Sequence, residues 1–184
     1  MVWCWDISRL PGPGKGWWWY LYTIWDLWSR AAIGWTVNAE ETAEVANRLI
    51  TTTAARQAID RHQLIIHSDR GAQMTAGTIT ELYDTLGVRR SLSRPRVSND
   101  NPHAEAGFKT LKYQPDWPDH FDTLEAADRH CQAFFNWYNH EHHHTGIGLV
   151  TPAERHAGNG TLIDRQRQAV LDRAYEAHPE RFPN

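Results

Sequence analysis

Cysteine is nearly absent: Cys4 and Cys131 are the only two in 184 residues. They form no metal-binding pattern, and a chain without a disulfide framework points to a reducing compartment. Apolar runs are short. None approaches the ~18 residues of a membrane span and no signal peptide is visible, so the cytoplasm is the expected location. A strong net charge is missing too. The formal balance is −3 and the sequence pI about 6.4, which argues against a uniformly basic nucleic-acid binder.

Tryptophan is what the chain has in excess, with ten residues, several of them near the amino terminus. At 41% hydrophobic and 22% charged, the chain fits one domain, or one domain with a helical appendage, and can bury a core. Its charge is unevenly spread. Between Leu86 and Lys112 stand Arg89, Arg90, Arg94, Arg96, Lys109 and Lys112, against only Asp100 and Glu105. Metal bound at nearby carboxylates would raise that local positive potential further.

In chain order, residues 2–10 (VWCWDISRL) read as a strand ending in a Pro-Gly-Pro-Gly turn. Residues 17–25 and 31–37 are aromatic and β-branched strands. The five residues between them are short enough for a hairpin, so the first three strands are expected to be antiparallel. Trp17 and Trp19 would point one way, Trp18 and Tyr20 the other. A strand of this kind is covered on both faces, and its tryptophans are read as core packing. Helical spacing of Ala43, Val45, Ala46, Leu49 and Ile50 predicts a helix over residues 40–58. A short buried strand follows at 62–67. A helix from Thr75, as N-cap, runs to Leu86 and is stopped by Gly87. Residues 88–92 make the fifth strand, and 93–103 a loop. Asn101-Pro102 then reads as cap and first helical residue, with a further helix over residues 124–141. The sum is an α/β fold, a mixed five-stranded sheet with helices packed against it.

Three carboxylates stand where such a sheet could gather them. Asp6 lies on the first strand. Asp69 follows the apolar run LII directly, in HSDRG, where it could equally be a turn aspartate bonded to its own backbone. Glu105 falls in the first turn of its helix, which by itself needs only the helix dipole as explanation. Between Asp69 and Glu105 lie 35 residues. Lys109 and Lys112 share the Glu105 face, either as a surface ion pair or as phosphate contacts beside a metal-binding acid. Carboxylates at strand ends and on a neighbouring helix suit a pair of hard divalent ions.

The segments WCWDI, YLYTIWDLWSR, HSDRG, SRPRVSNDNPHAEAGFKTLK and FFNWYNHEHHHTGIGLVTPAE resemble the integrase-core transposases of bacterial insertion sequences, specifically insertion-sequence family three. These are relatives of retroviral integrases with a ribonuclease-H-like fold. The resemblance runs from Trp3 to about His156, leaving residues 157–184 as a helical tail beyond a core of residues 1–156. It implies that Asp6, Asp69 and Glu105 are a DDE triad, both catalytic and metal-binding, working with two Mg2+ or Mn2+ ions in DNA strand cleavage and transfer. It implies DNA, both element ends and target, as partner, a homo-oligomer in the DNA complex, and a bacterial cytoplasm. Arg94, Arg96, Lys109 and Lys112 would seat phosphates with salt-dependent affinity. His67 and Arg70 could orient Asp69 or be packed and solvated neighbours.

Two features depart from the pattern. The family's N-terminal helix-turn-helix part is expected to be missing, since the chain opens on its first strand. His143 stands where an arginine is common, so a phosphate contact there would be weaker or pH-dependent. The surrounding His140, His142 and His144 lack the cysteines of a typical zinc site. Tyr138 and Asn139 are read as tying their helix to the core. The rival to a catalytic core is a truncated DNA-binding or inhibitory fragment, and a third reading is a stand-alone nuclease of the same fold.

Overall fold

The computed structural model describes residues 1–95 and 100–182. Strands β1 (Val2–Pro11), β2 (Trp18–Asp26) and β3 (Ala32–Asn38) form an antiparallel meander. Helix α1 (Ala43–Arg56) then carries the chain to β4 (Ile65–Ser68), which pairs parallel with β1. Helix α2 (Gly77–Leu86) leads to β5 (Arg89–Leu92), parallel to β4. The strand order is β3-β2-β1-β4-β5. A short antiparallel start needs only tight turns, whereas each parallel pair needs a crossover, here a helix. This is the expected mixed five-stranded sheet.

Alternation along the central strands fills two separate cores. Trp3, Trp5, Tyr22 and Ile24 face α1 and α2. Cys4, Leu10, Trp19, Leu21 and Trp25 face the other way, under α3 (Pro102–Lys112) and α4 (Leu124–His140). β2 is thus covered on both faces over most of its length, which its unbroken apolar run foretold. The core reading of tryptophan needs one correction. Trp17, Trp18 and Trp28 are exposed, the first two at the start of β2 and the last in the turn between β2 and β3.

Several boundaries shift for local reasons. Helix α1 starts at Ala43 because the Thr42 hydroxyl accepts from the Val45 amide. β4 starts at Ile65, since Ala58 (φ 49°) and His62 (φ 68°) occupy the left-handed region before it. Thr75 is not the cap of α2. Its hydroxyl donates back to the Gly71 and Ala72 carbonyls, and Ala76 caps without a side-chain bond. Gly87 ends α2 at φ 65°, as expected. Helix α4 is docked by its last turn: Asn139 accepts from the Ala32 amide (3.0 Å) and donates to the Ala32 carbonyl (2.9 Å). The side chain mimics one rung of a neighbouring strand beside edge strand β3. Tyr138 is buried edge-on against Trp25. Beyond it, α5 (Pro152–His156) opens with a full capping box of Thr151 and Glu154. Helix α6 (Gly160–Ala177) follows and is exposed along most of its length.

Cys4 and Cys131 are free and buried, and burial pushes both thiols up to about 12. Among the described residues no helix is long and apolar enough to cross a membrane.

Candidate active site

Strand register sets the first two acids beside each other. β1 and β4 run parallel with Cys4 opposite His67. Two residues further along each chain come Asp6 and Asp69. Asp6, an even step from Cys4 within β1, stays on the Cys4 face of the sheet. Asp69 lies just past the carboxyl end of β4, where open α/β sheets place ligands. Asp6 remains within β1, paired on its far side with Thr23 of β2.

Glu105 comes from α3, and the packing of α3 is what brings it in. Ala104, Gly107, Phe108 and Leu111 form its buried stripe at helical spacing. Gly107 is required there. A Cβ at this position would fall 2.5 Å from Trp25 Cη2 and closer still to Cζ2, so only glycine lets the helix lie on the indole. At the amino end, the Asn101 amide donates to the Trp5 carbonyl (3.4 Å), fastening the start of α3 to the residue before Asp6. The cap position was expected, but Asn101 makes no side-chain cap bond; its side chain serves as this clamp. Neither Asn101 nor Gly107 was read as a site residue in the sequence, although a lone glycine inside a helical pattern signals close approach.

The electrostatics couple the three acids. Burial chiefly, then the charges of Asp69 and Glu105, push the Asp6 carboxyl up to about 7, against a bond from the Ile7 amide that lowers it. That bond is 2.8 Å, to Asp6 Oδ1. Asp69 Oδ1 accepts from the Gly71 amide at 2.8 Å, the turn role its sequence allowed. Each aspartate therefore commits one oxygen to backbone. Among the described residues no three His, Cys, Asp or Glu side chains are gathered as a ready metal cage. The donor set nevertheless suits a hard divalent cation. It is all carboxylate oxygen, and the like-charge crowding on Asp6 is what a cation would relieve.

The flanking residues divide. His67 bridges the Ser91 hydroxyl (2.9 Å) and the Asp100 carbonyl (3.0 Å), with Ser93 at 3.3 Å. Arg70 donates to the Ser93 carbonyl (2.8 Å). These contacts place both residues against the loop after β5. Arg94 is engaged by Asp100 through two guanidinium bonds of 3.0 and 2.8 Å, which hold the Asp100 carboxyl at about 2. Arg96 lies outside the described residues. Lys109 is exposed and Lys112 half-buried, with burial lowering the Lys112 pKa. His143 is exposed and bonded to the Glu141 carbonyl, whereas His142 and His144 turn inward.

Comparison with known proteins accords with this architecture. The integrase core domain family matches residues 1–98, and a second integrase core domain family matches residues 86–152. The transposase InsF for insertion sequence IS3A of Escherichia coli (strain K12) is 30% identical over 156 residues, covering 83% of this chain and 52% of the relative. The transposase for insertion sequence element IS904 of Lactococcus lactis subsp. lactis is 27% identical over 157 residues, covering 83% and 60%. The chain spans about half the length of the curated relatives it matches. Among solved structures, the catalytic core domain of BIV integrase superposes with a TM-score of 0.62 at 22% identity, covering 88% of this chain and 96% of that one. A chain of the simian T-cell lymphotropic virus intasome in complex with PP2A regulatory subunit B56 gamma gives 0.61 at 17%, covering 83% and 52%. The sheet and its flanking helices are therefore the fold of retroviral integrase catalytic cores, and with a family match over more than half its length the chain belongs to the integrase core domain family.

Proposed function

We propose that this chain is the catalytic core of a DDE transposase, carrying out metal-dependent cleavage of DNA and transfer of the cut strand. What supports the reading is the placement of three acids on β1, just past the end of the adjoining β4, and in the first turn of α3, with the charges of Asp69 and Glu105 helping to raise the Asp6 carboxyl. Attack on a phosphodiester by water or a 3′-hydroxyl forms no covalent bond to the enzyme, so a Ser, Cys or Tyr nucleophile is not needed. Asp6, Asp69 and Glu105 would hold two Mg2+ or Mn2+ ions. Ions held there would supply activation of the attacking oxygen and stabilisation of the leaving one. The protein's share is positional. The Asn101 clamp and the Gly107 contact fix where Glu105 stands, and the backbone amides of Ile7 and Gly71 fix one oxygen of each aspartate. Lys109 and Lys112, at the far end of α3, would seat DNA phosphates, with Arg94 joining once released by Asp100. The substrate is then DNA at an element end and at a target, engaged by more than one copy of the chain.

The test is nicking and strand transfer on end-labelled DNA with Mg2+ or Mn2+, comparing wild type with Glu105→Gln. The reading expects products that need metal and vanish in the variant. Equal product from both proteins would remove Glu105 from the site. DNA binding without product from either would favour the non-catalytic, inhibitory fragment.

A further inference from the structure

A second polar pocket lies across α3 from the acids. Glu105, Lys109 and Lys112 occupy one flank of the helix; His103, Ala106 and Thr110 occupy another, centred about 125° around it. That second flank, the turn between β2 and β3, and the segment after α4 enclose a pocket of about 50 Å³. One water needs ~10–15 Å³ by this kind of measure, so there is room for a small oxyanion. Arg30, His103, His142 and His144 are its basic lining, with Thr110 and Asp26 beside them.

Three observations point to an anion. First, Arg30 is half-buried, and among the described residues no carboxylate lies within ion-pair distance of it. Its Nη1 instead sits 2.6 and 2.8 Å from the two ring nitrogens of His103, a poor partner for a guanidinium. A desolvated cation without an acid is costly until an oxyanion fills its fork. Second, Arg30 is held at φ 63°. The left-handed region is uncommon for a residue of this size, and the turn itself would accept Gly or Asn there. Third, the nearby imidazoles retain donors. His144 Nδ1 accepts from the Gly146 amide at 3.0 Å, which leaves its Nε2 to carry the proton. His142 lies flat on Tyr138, with centroids 5.3 Å apart; its backbone amide donates to the Trp137 carbonyl, and its ring makes no hydrogen bond among the described residues. Burial chiefly, then His142 and Arg30, hold His144 below its ordinary pKa. The acid on the lining, Asp26, spends Oδ1 on the Ser29 amide and hydroxyl, both at 2.7 Å.

We propose that this pocket binds an oxyanion of the phosphate class through Arg30, His142 and His144, at a site separate from the carboxylates. The phosphate could come from the DNA backbone or be free in solution, and the test separates the two. Imidazole and amide spectra of the isotopically labelled chain are followed without divalent metal. Inorganic phosphate is titrated in against chloride at equal ionic strength, then a duplex without terminal phosphates. The expected result is a saturable shift of the His142 and His144 signals by phosphate and not by chloride. Arg30→Asn, which suits the left-handed backbone and removes the charge, should weaken it about tenfold or more. His142→Phe keeps the stack on Tyr138 and should weaken it severalfold, and it decides the matter if the Arg30 variant does not fold. A duplex that moves the same signals assigns the site to the DNA backbone, and a response to phosphate alone assigns it to the free ion. No saturable shift from either probe, or binding unchanged in both variants, overturns the proposal. The absence of metal keeps the result independent of the proposed strand transfer.

Discussion

Replacing Gly107 with alanine sets two known effects against each other. Alanine favours a helix interior over glycine by about 1 kcal/mol, so at an open position the change stabilises. At Gly107 the new methyl would lie 2.5 Å or less from two ring carbons of Trp25, where ~3.5–4.0 Å is the favourable range. One side must give by about 1 Å. Trp25 is poorly placed to yield. It is buried, its Nε1 donates to the Thr23 hydroxyl at 2.9 Å, and Phe135 and Tyr138 press edge-on at 5.8 and 5.3 Å. Overpacking costs about 1–3 kcal/mol, and a rigid neighbour places this case near the top of that range. The net expectation is a loss of about 2 kcal/mol, read from urea unfolding of both proteins with unchanged m. The shift should also lift Glu105 away from Asp6 and lower the Asp6 pKa from about 7, read by carboxyl-carbon NMR titration. A variant more stable than wild type by about 1 kcal/mol, with Asp6 unmoved, would refute the close approach of α3.

Asn139→Ala removes both bonds to Ala32 and should cost about 2–4 kcal/mol. Asn139→Asp keeps the acceptor but loses the donor, so it should recover little of that loss; a cost under ~0.5 kcal/mol for Ala, the range of an ordinary surface change, would show that the rung is dispensable. Asp6 gives a pH signature: its pKa rises from 3.8 to about 7 on folding, so the folded chain keeps a proton that the unfolded chain has released. That contribution is fully present below about 3.8 and lost as pH rises through about 7. Asp6→Asn should therefore flatten the fall in stability between those values and exceed wild type above them, and parallel pH profiles would contradict the burial and crowding. Asp100→Asn frees the Arg94 guanidinium; DNA affinity should rise and the slope of log K against log salt steepen by about 0.9 for one added phosphate contact, while an unchanged slope would mean that Arg94 does not reach the backbone.

The sheet was legible because its first three strands are long, aromatic-rich runs bounded by Pro-Gly and short turns, and because a parallel pair demands a crossover helix. All three acids could be placed from local rules: Asp6 in a strand, Asp69 after LIIH, Glu105 behind Asn101-Pro102. What seats α3, and with it Glu105, against the sheet is not local. It depends on the lack of a side chain at Gly107 and on the reach of Asn101 to Trp5, both long-range contacts that no periodicity reports. Thr75 misled because a threonine before a helix has two uses for its hydroxyl, capping forward or bonding back to Gly71, and the sequence does not choose. The histidine run was readable as a cluster but not as a geometry. One turn after α4 sends His142 and His144 inward and leaves His143 in solvent.

The central claim is that Asp6, Asp69 and Glu105 together hold the metal. The measurement that tests it most directly is anomalous scattering from crystals of the wild-type chain soaked in Mn2+. The account expects density with carboxylate oxygens of Asp6 and Asp69 at about 2.1 Å, Glu105 on the same cluster or joining it once DNA is present, and loss of the density in Asp69→Asn. Manganese bound only elsewhere, at concentrations that support strand cleavage, would contradict it.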